Sequence, residues 1–199
     1  MIPLKDQDAI RLKFAQEMLG PVKIDYFTQK DLAIVVPGRE PCAYCKPAGE
    51  MLQELAALSD LISLRVHSFE DDREEAAKYG IERVPGIVLR GRNGAAFKFY
   101  GMPGGTEFPA FLDSIVDISR NEVLFSGESV KLLRKLKEDV RVKVFVTPAC
   151  PYCPMMARAA CQMALVNPRI KAEVIEVNEF PTLAQRYNVS AVPLTVIED

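Results

Sequence analysis

The 199-residue sequence has a single histidine, no long apolar run and almost no net charge. With His67 alone, a Cys/His catalytic pair or a histidine-based metal site is not expected. No stretch approaches the roughly 20 apolar residues of a membrane helix, and the N-terminus lacks the apolar core of a signal peptide. A formal net charge of −2 gives no basic field for nucleic acid or anionic lipid. We therefore expect a cytoplasmic protein that binds neither nucleic acid nor a membrane.

Two Cys-x-x-Cys motifs occur at equivalent places in an internal repeat. The motifs are CAYC at 42–45 and CPYC at 150–153, separated by 150 − 42 = 108 positions. The same shift also relates three further pairs of positions: Tyr79 to Tyr187, Val84 to Val192, and Pro85 to Pro193. One such motif is weak evidence, but two in register with a Val-Pro dipeptide indicate a duplicated domain.

The repeat predicts an α/β protein of two tandem units, residues 1–118 and 119–199. Each unit is predicted to contain a mixed four-stranded sheet flanked by helices. The first unit continues through a strand at 96–100 and a helix at 108–118, whereas only six residues follow Pro193. We therefore expect the second unit to lack its last strand and helix. The strand at 194–197 would then have an unpaired edge. The favoured explanations are that the chain is truncated or that further residues follow those given. The alternative is that a neighbouring chain covers the edge, as in a homodimer formed through it.

A second irregularity precedes the first motif. The run Leu32–Val36 is strand-like and has no counterpart before the second motif. It predicts a hairpin insertion in the approach to Cys42.

The spacing of each motif is suited to thiol–disulfide exchange. A cysteine at the start of a helix lies near free N–H groups and the positive end of the helix dipole, and both favour the thiolate. Three residues is nearly one turn, so the second sulfur can attack a mixed disulfide formed by the first. We therefore assign Cys42 and Cys150 as nucleophiles and Cys45 and Cys153 as resolving thiols.

The residues around the motifs suggest where a substrate would bind. A cis peptide before Pro85 or Pro193 would expose the backbone of Val84 or Val192 to an incoming peptide. Alternatively, a Val-Pro dipeptide can simply begin an edge strand. The repetition of the dipeptide at the same offset in both units argues against this alternative. The two aromatic residues inside the motifs either contact substrate or pack on the next helix; they are Tyr44 and Tyr152.

The succession of strand, CxxC, helix, strand, helix and Val-Pro resembles the thioredoxin fold. Two such units in one chain resemble the protein disulfide oxidoreductases, glutaredoxin-like proteins of thermophilic prokaryotes, and CPYC matches the motif of their C-terminal unit. The resemblance implies dithiol–disulfide exchange on protein substrates, electrons from a thioredoxin-reductase-type flavoenzyme, no other cofactor, and cis prolines at Pro85 and Pro193. Thioredoxins bury an aspartate six residues before the first cysteine, but here those positions are Val36 and Val144.

Other functions remain open at the level of sequence. The pairs could bind structural zinc through four thiolates, although the separation of 150 − 45 = 105 residues is long for such a site. The chain could be an electron-relay module of a peroxiredoxin-type reductase, or a chaperone-like binder of unfolded protein. The fifth cysteine, Cys161, is predicted to be a small buried apolar residue. The direction of exchange, reductive or oxidative, is not determined.

Overall fold

The computed structural model describes residues 2–30 and 41–198. The predicted hairpin at Leu32–Val36 lies outside these ranges. The helices of the described chain are α1 (Leu4–Glu17), α2 (Cys45–Ala56), α3 (Arg73–Tyr79), α4 (Glu107–Arg120), α5 (Gly127–Arg134), α6 (Cys153–Val166) and α7 (Pro181–Arg186). The strands are β1 (Val22–Thr28), β2 (Ile62–Ser68), β3 (Gly86–Arg90), β4 (Ala96–Tyr100), β5 (Val140–Val146), β6 (Ile170–Glu176) and β7 (Leu194–Glu198).

The strands form one continuous sheet in the order β2-β1-β3-β4-β6-β5-β7. Strands β3 and β7 are antiparallel to their neighbours, and the other pairings are parallel. Strand β4 of the first unit pairs with β6 of the second, with Phe97 opposite Ala172. The sequence predicted a mixed sheet for each unit, and backbone hydrogen bonds between β4 and β6 join the two into a single sheet.

The alternation of apolar residues explains how the helices cover this sheet. On α2, Ala48, Met51, Leu52 and Leu55 repeat at helical spacing and are all at most 2% exposed. They pack with Tyr26 in the larger of the two apolar cores, which contains residues of both units. The core is thus shared between the units.

The repeat is visible in an ion pair whose polarity is reversed between the units. In the first unit, Asp25 on β1 accepts from Arg90 on β3. In the second, Lys143 on β5 donates to Glu198 on β7. Asp25 and Lys143 occupy equivalent positions in the strand register. Asp25 lies opposite Val88, two residues before Arg90. Lys143 lies opposite Val196, two residues before Glu198. The lone histidine, His67, is a second partner of Asp25, with 3.0 Å between His67 Nε2 and Asp25 Oδ1.

The ends of two helices follow from local packing and backbone conformation. Helix α5 ends at Arg134. None of its side chains is buried, so packing does not extend the helix into the charged residues that follow. Helix α4 continues to Arg120, two residues past the predicted boundary at 118. Asn121 ends it in the left-handed conformation, with a φ of 54°.

Helices α4 and α6 pack together and carry a buried polar cluster between the units. Arg158 on α6 donates to both carboxylate oxygens of Asp117 on α4, at 2.7 and 2.8 Å. Gln162 adds a third hydrogen bond to Asp117 at 2.7 Å, and Asp113 also accepts from Arg158 at 2.8 Å. Asp117 is only 5% exposed, so this arrangement compensates for burial of its charge.

In the described part of the chain, no helix is both long and apolar enough to span a bilayer.

Replacing the buried carboxylate should weaken the joint between the units. We expect Asp117→Asn to lower the free energy of unfolding by about 2–4 kcal/mol, because Arg158 would keep its charge and lose its bidentate partner. Asp139→Asn is the matched control, since Asp139 pairs with Arg169 at 3.3 Å with both side chains more than half exposed. The control should cost less than about 1 kcal/mol in urea unfolding. Equal effects of the two substitutions would contradict a stabilising role for the buried cluster.

Candidate active site

Both cysteine pairs lie at the same edge of the sheet. Strands β1, β4, β6 and β5 run in one direction, so the carboxyl ends of β1 and β5 point to one side. Helix α2 begins at Cys45 and α6 at Cys153, so the second cysteine of each motif is the first helical residue. Each pair is a disulfide, with Cα atoms 5.4 Å apart in the first and 5.5 Å apart in the second.

The first pair is held by residues of its own unit. Cys42 N donates to the side-chain oxygen of Gln29 at 2.8 Å, and Gln29 N lies 3.4 Å from the Cys45 sulfur. The Tyr26 hydroxyl donates to the Cys45 carbonyl at 2.5 Å. Burial raises the pKa of Tyr26 to about 12, so the hydroxyl stays a donor at neutral pH. Cys42 is half-buried and Cys45 is buried, which makes Cys42 the accessible sulfur.

The second pair presents a backbone amide to its leading sulfur. Cys153 N lies 3.1 Å from the Cys150 sulfur, and the carbonyl oxygen of Val192 lies 3.7 Å from the same atom. Cys150 is 8% exposed, whereas Cys153 is fully buried. An N–H aimed at the Cys150 sulfur favours its thiolate after reduction.

The Val-Pro dipeptides directly precede the strands β3 and β7. Both Val84-Pro85 and Val192-Pro193 have cis peptide bonds, as the resemblance implied. The contact between the Cys150 sulfur and Val192 brings the second dipeptide directly against its disulfide.

The two motif tyrosines are exposed. Tyr44 retains 47% of its surface and Tyr152 retains 69%. Packing on the next helix therefore does not account for these two side chains.

Two carboxyl groups that the sequence did not single out have buried oxygens, those of Glu107 and Glu179. Glu107 is 1% exposed, and within the described residues neither of its oxygens has a hydrogen-bond partner. Burial raises its pKa to about 7. Glu179 accepts from Met102 N at 2.7 Å through one oxygen, while its other oxygen is buried without a partner in the described chain. Burial also raises the pKa of Glu179 to about 7. No local sequence pattern marks either residue, and the contact of Glu179 is with Met102, which lies far from it in sequence.

The position of the thioredoxin aspartate is apolar in the second unit. Val144 is fully buried, and Val36 lies outside the described residues. Asp25 on β1 is buried as well, but it is bound to His67 and Arg90.

The sequence raised two further chemical features, a fifth cysteine and a metal site. Cys161 is fully buried, and burial raises the pKa of its thiol, in agreement with its interpretation as an apolar residue. Among the residues that the structure describes, no group of three or more His, Cys, Asp or Glu could hold a metal ion.

Comparison with known proteins places these features in a family. The model of the thioredoxin domain matches residues 140–199. A thioredoxin from Methanocaldococcus jannaschii is 37% identical over 59 residues, which are 29% of this chain and 69% of the thioredoxin. A component of the alkyl hydroperoxide reductase from Xanthomonas campestris pv. phaseoli is 26% identical over 144 residues, 72% of this chain and 26% of that protein. The chain thus spans about a quarter of the length of such curated relatives.

A solved structure matches the whole chain. The crystal structure of a protein disulfide oxidoreductase from Aeropyrum pernix k1 superposes with a TM-score of 0.87 at 26% identity, covering 100% of this chain and 84% of that one. This match confirms the expected α/β fold of tandem thioredoxin-like units and the resemblance to protein disulfide oxidoreductases. With its two CxxC pairs, its cis Val-Pro dipeptides and these matches, the chain belongs to the thioredoxin family.

Proposed function

We propose that the protein is a thiol–disulfide oxidoreductase that exchanges disulfides with protein substrates at both CxxC pairs. The observation that carries the proposal is the arrangement of the two disulfides. Each lies at the start of a helix, on the same edge of the sheet, in a unit whose Val-Pro peptide is cis. The units repeated in this way are residues 1–118 and 119–199.

The proposed reaction is a pair of displacements. The Cys150 thiolate attacks one sulfur of a substrate disulfide, which forms a mixed disulfide and releases the other substrate sulfur as a thiolate that takes up a proton. Cys153 then loses its proton and attacks the Cys150 sulfur. The second substrate thiol is released, and the Cys150–Cys153 disulfide remains. The two electrons given to the substrate thus come from the protein dithiol, and the reverse sequence oxidises a substrate.

The second pair is proposed to carry most of the turnover. At this pair the Cys153 amide points at the leading sulfur of Cys150, whereas at the first pair the Gln29 amide points at the resolving sulfur of Cys45. A donor on the leading sulfur favours the reactive thiolate and makes it a better leaving group.

Proton transfer from Cys153 needs an acceptor, because this residue is fully buried. We propose Glu107 for this role. It directly follows Thr106, whose hydroxyl donates to the Cys150 carbonyl at 2.9 Å. Its raised pKa of about 7 suits a group that gains and loses protons near neutral pH.

Substrate binding is proposed to use the exposed rings and the Val-Pro backbones. An extended substrate segment would pair with the backbone of Val84 or Val192, while Tyr44 or Tyr152 would contact it beside the disulfide. A thioredoxin-reductase-type flavoprotein would return electrons, and no further cofactor is invoked. A homodimer through the outer edge of β7 is also proposed, as is a cytoplasmic location.

A second function, electron relay to a dedicated peroxidase, is favoured by the match to the alkyl hydroperoxide reductase component. The two functions differ in substrate range. A relay module would reduce its own partner and leave an unrelated disulfide such as that of insulin intact. A general oxidoreductase would reduce both.

Single cysteine substitutions test the assignment of the leading thiols. We expect Cys150→Ser to lower the rate of insulin reduction by dithiothreitol by roughly tenfold or more, because the attacking thiolate is removed. Cys42→Ser should have a smaller effect, and Cys161→Ser should have none. The order of the sites is wrong if Cys42→Ser abolishes activity while Cys150→Ser retains it. The function is wrong if neither substitution matters.

Replacing the buried carboxyl should alter the pH dependence of stability. The folded-state pKa of Glu107 is raised to about 7 from an ordinary 4.5, so its stabilising contribution is complete below pH 4.5 and is lost as pH rises through 7. Glu107→Gln should therefore match the native protein near pH 4 and exceed its unfolding free energy by up to about 3 kcal/mol at pH 8. If Glu107 is the proton acceptor, the variant should also lose a step near pH 7 in the rate of disulfide reduction.

The exposed Glu50 on α2 provides the control. Glu50→Gln makes the same change in charge without altering the buried site, and it should shift neither profile. A Glu107→Gln variant whose rate keeps the native pH profile would exclude Glu107 as the acceptor, whatever its effect on stability.

A further inference from the structure

The loop between β4 and α4 of the first unit contacts the cysteine loop of the second unit. Thr106 N donates to the Pro148 carbonyl at 2.9 Å. The Thr106 hydroxyl lies 3.0 Å from that same oxygen and 2.9 Å from the Cys150 carbonyl oxygen. A hydroxyl has one hydrogen, so the two carbonyls share it. A residue of one unit thereby binds the backbone of the nucleophile of the other.

We propose that Gly105 and Thr106 form the positioning element of the second site, and that they hold the Cys150 backbone so that its sulfur faces the Cys153 amide. The chemical part of this inference rests on the proposed function, because it concerns the reactivity of the thiol that would attack the substrate. The geometric part can be tested separately.

The close approach of this element depends on glycine at 105. Gly105 has a φ of +56°, and a Cβ added there would lie 2.4 Å from the Pro148 carbonyl oxygen. A separation below 3.0 Å requires the backbone to shift. Any side chain at 105 would therefore push the loop of residues 147–150 away from the first unit.

The position of that loop determines the surroundings of the Cys150 sulfur. Cys150 N donates to the Thr147 carbonyl at 3.2 Å, and Cys153 N lies 3.1 Å from the Cys150 sulfur. Binding of the Cys150 carbonyl by Thr106 fixes the orientation of the peptide that follows the nucleophile. If this contact is lost, the Cys150 sulfur is held less firmly beside the amide that stabilises its thiolate.

The first site is anchored differently. Gln29, from the same unit, binds the Cys42 amide and approaches the Cys45 sulfur. The described contacts of Thr106 and Gly105 with a cysteine loop are all to the second site. The proposal therefore predicts that changes at 105 or 106 alter Cys150 and leave Cys42 unchanged, which makes the first site an internal control.

The test uses the full chain, reduced with dithiothreitol, in four variants: Thr106→Val, Thr106→Ser, Gly105→Ala and Gly94→Ala. Iodoacetamide is added over a range of pH, and mass spectrometry of the peptides gives separate alkylation rates and thiol pKa values for Cys42 and Cys150. Gly94 is the matched control for Gly105, because it also has a positive φ, +79°, but no atom lies within 4 Å of an added Cβ. Both alanine variants carry the backbone strain, and only one disturbs the second site.

We expect Thr106→Val to slow alkylation of Cys150 near neutral pH by about 2- to 10-fold and to raise its pKa, as loss of one hydrogen bond implies. Thr106→Ser should retain the native rate, and Gly105→Ala should have a larger effect than Thr106→Val. Cys42 should react at the native rate in every variant, and Gly94→Ala should change neither cysteine. If Gly105→Ala does not fold, the Val and Ser variants at 106 decide the matter.

Two results would overturn the proposal. One is a Cys150 pKa that is unchanged in both Thr106→Val and Gly105→Ala. The other is an equal change at Cys42, which would indicate a general disturbance of the protein. Neither depends on disulfide reduction, so the positioning element and the proposed function can fail independently.

Discussion

The pairing of β4 with β6 is the constraint on which the other features depend. Four residues of β4 lie in parallel register with β6, and this contact joins the four strands of the first unit to the three of the second. Because the pairing is parallel, β1 and β5 end at the same edge of the sheet. Both disulfides consequently face the same side of the molecule, and the loop after β4 reaches the loop after β5.

The interface between the units also gives some side chains surroundings that they would lack in an isolated unit. Helix α4 packs on α6, and Asp117 is buried there with Arg158 and Gln162. At the start of α4, Glu107 is buried without a hydrogen-bond partner in the described chain. The guanidinium of Arg158 compensates the buried charge of Asp117, whereas burial of the unpaired Glu107 carboxyl raises its pKa. The two carboxyl groups of α4 thus differ: Asp117 is paired across the contact with α6, and Glu107 is unpaired in the described chain.

The repeat preserves geometry more strictly than charge. Asp25 and Arg90 in the first unit occupy the positions of Lys143 and Glu198 in the second, with the signs exchanged. A pair of opposite charges has the same Coulomb energy in either orientation, so the sheet tolerates the reversal. The sign of the charge on equivalent strands can thus differ between the units while the strand register is the same.

The sequence by itself determined the repeat, the order of helices and strands, the positions of the two CxxC pairs and those of the two Val-Pro dipeptides. These follow from local information: each CxxC motif precedes an apolar helical pattern and ends at the first residue of that helix, and the apolar spacing on α2 marks its buried face. Tertiary structure alone decided that the units share one sheet and that Tyr44 and Tyr152 are exposed. It also decided that Glu107 is buried and that Thr106 binds the loop of Cys150. The physical reason is that burial and pKa depend on which atoms of the other unit displace water. The segments that meet in this way lie far apart in sequence, and their contact leaves no periodic pattern within either one.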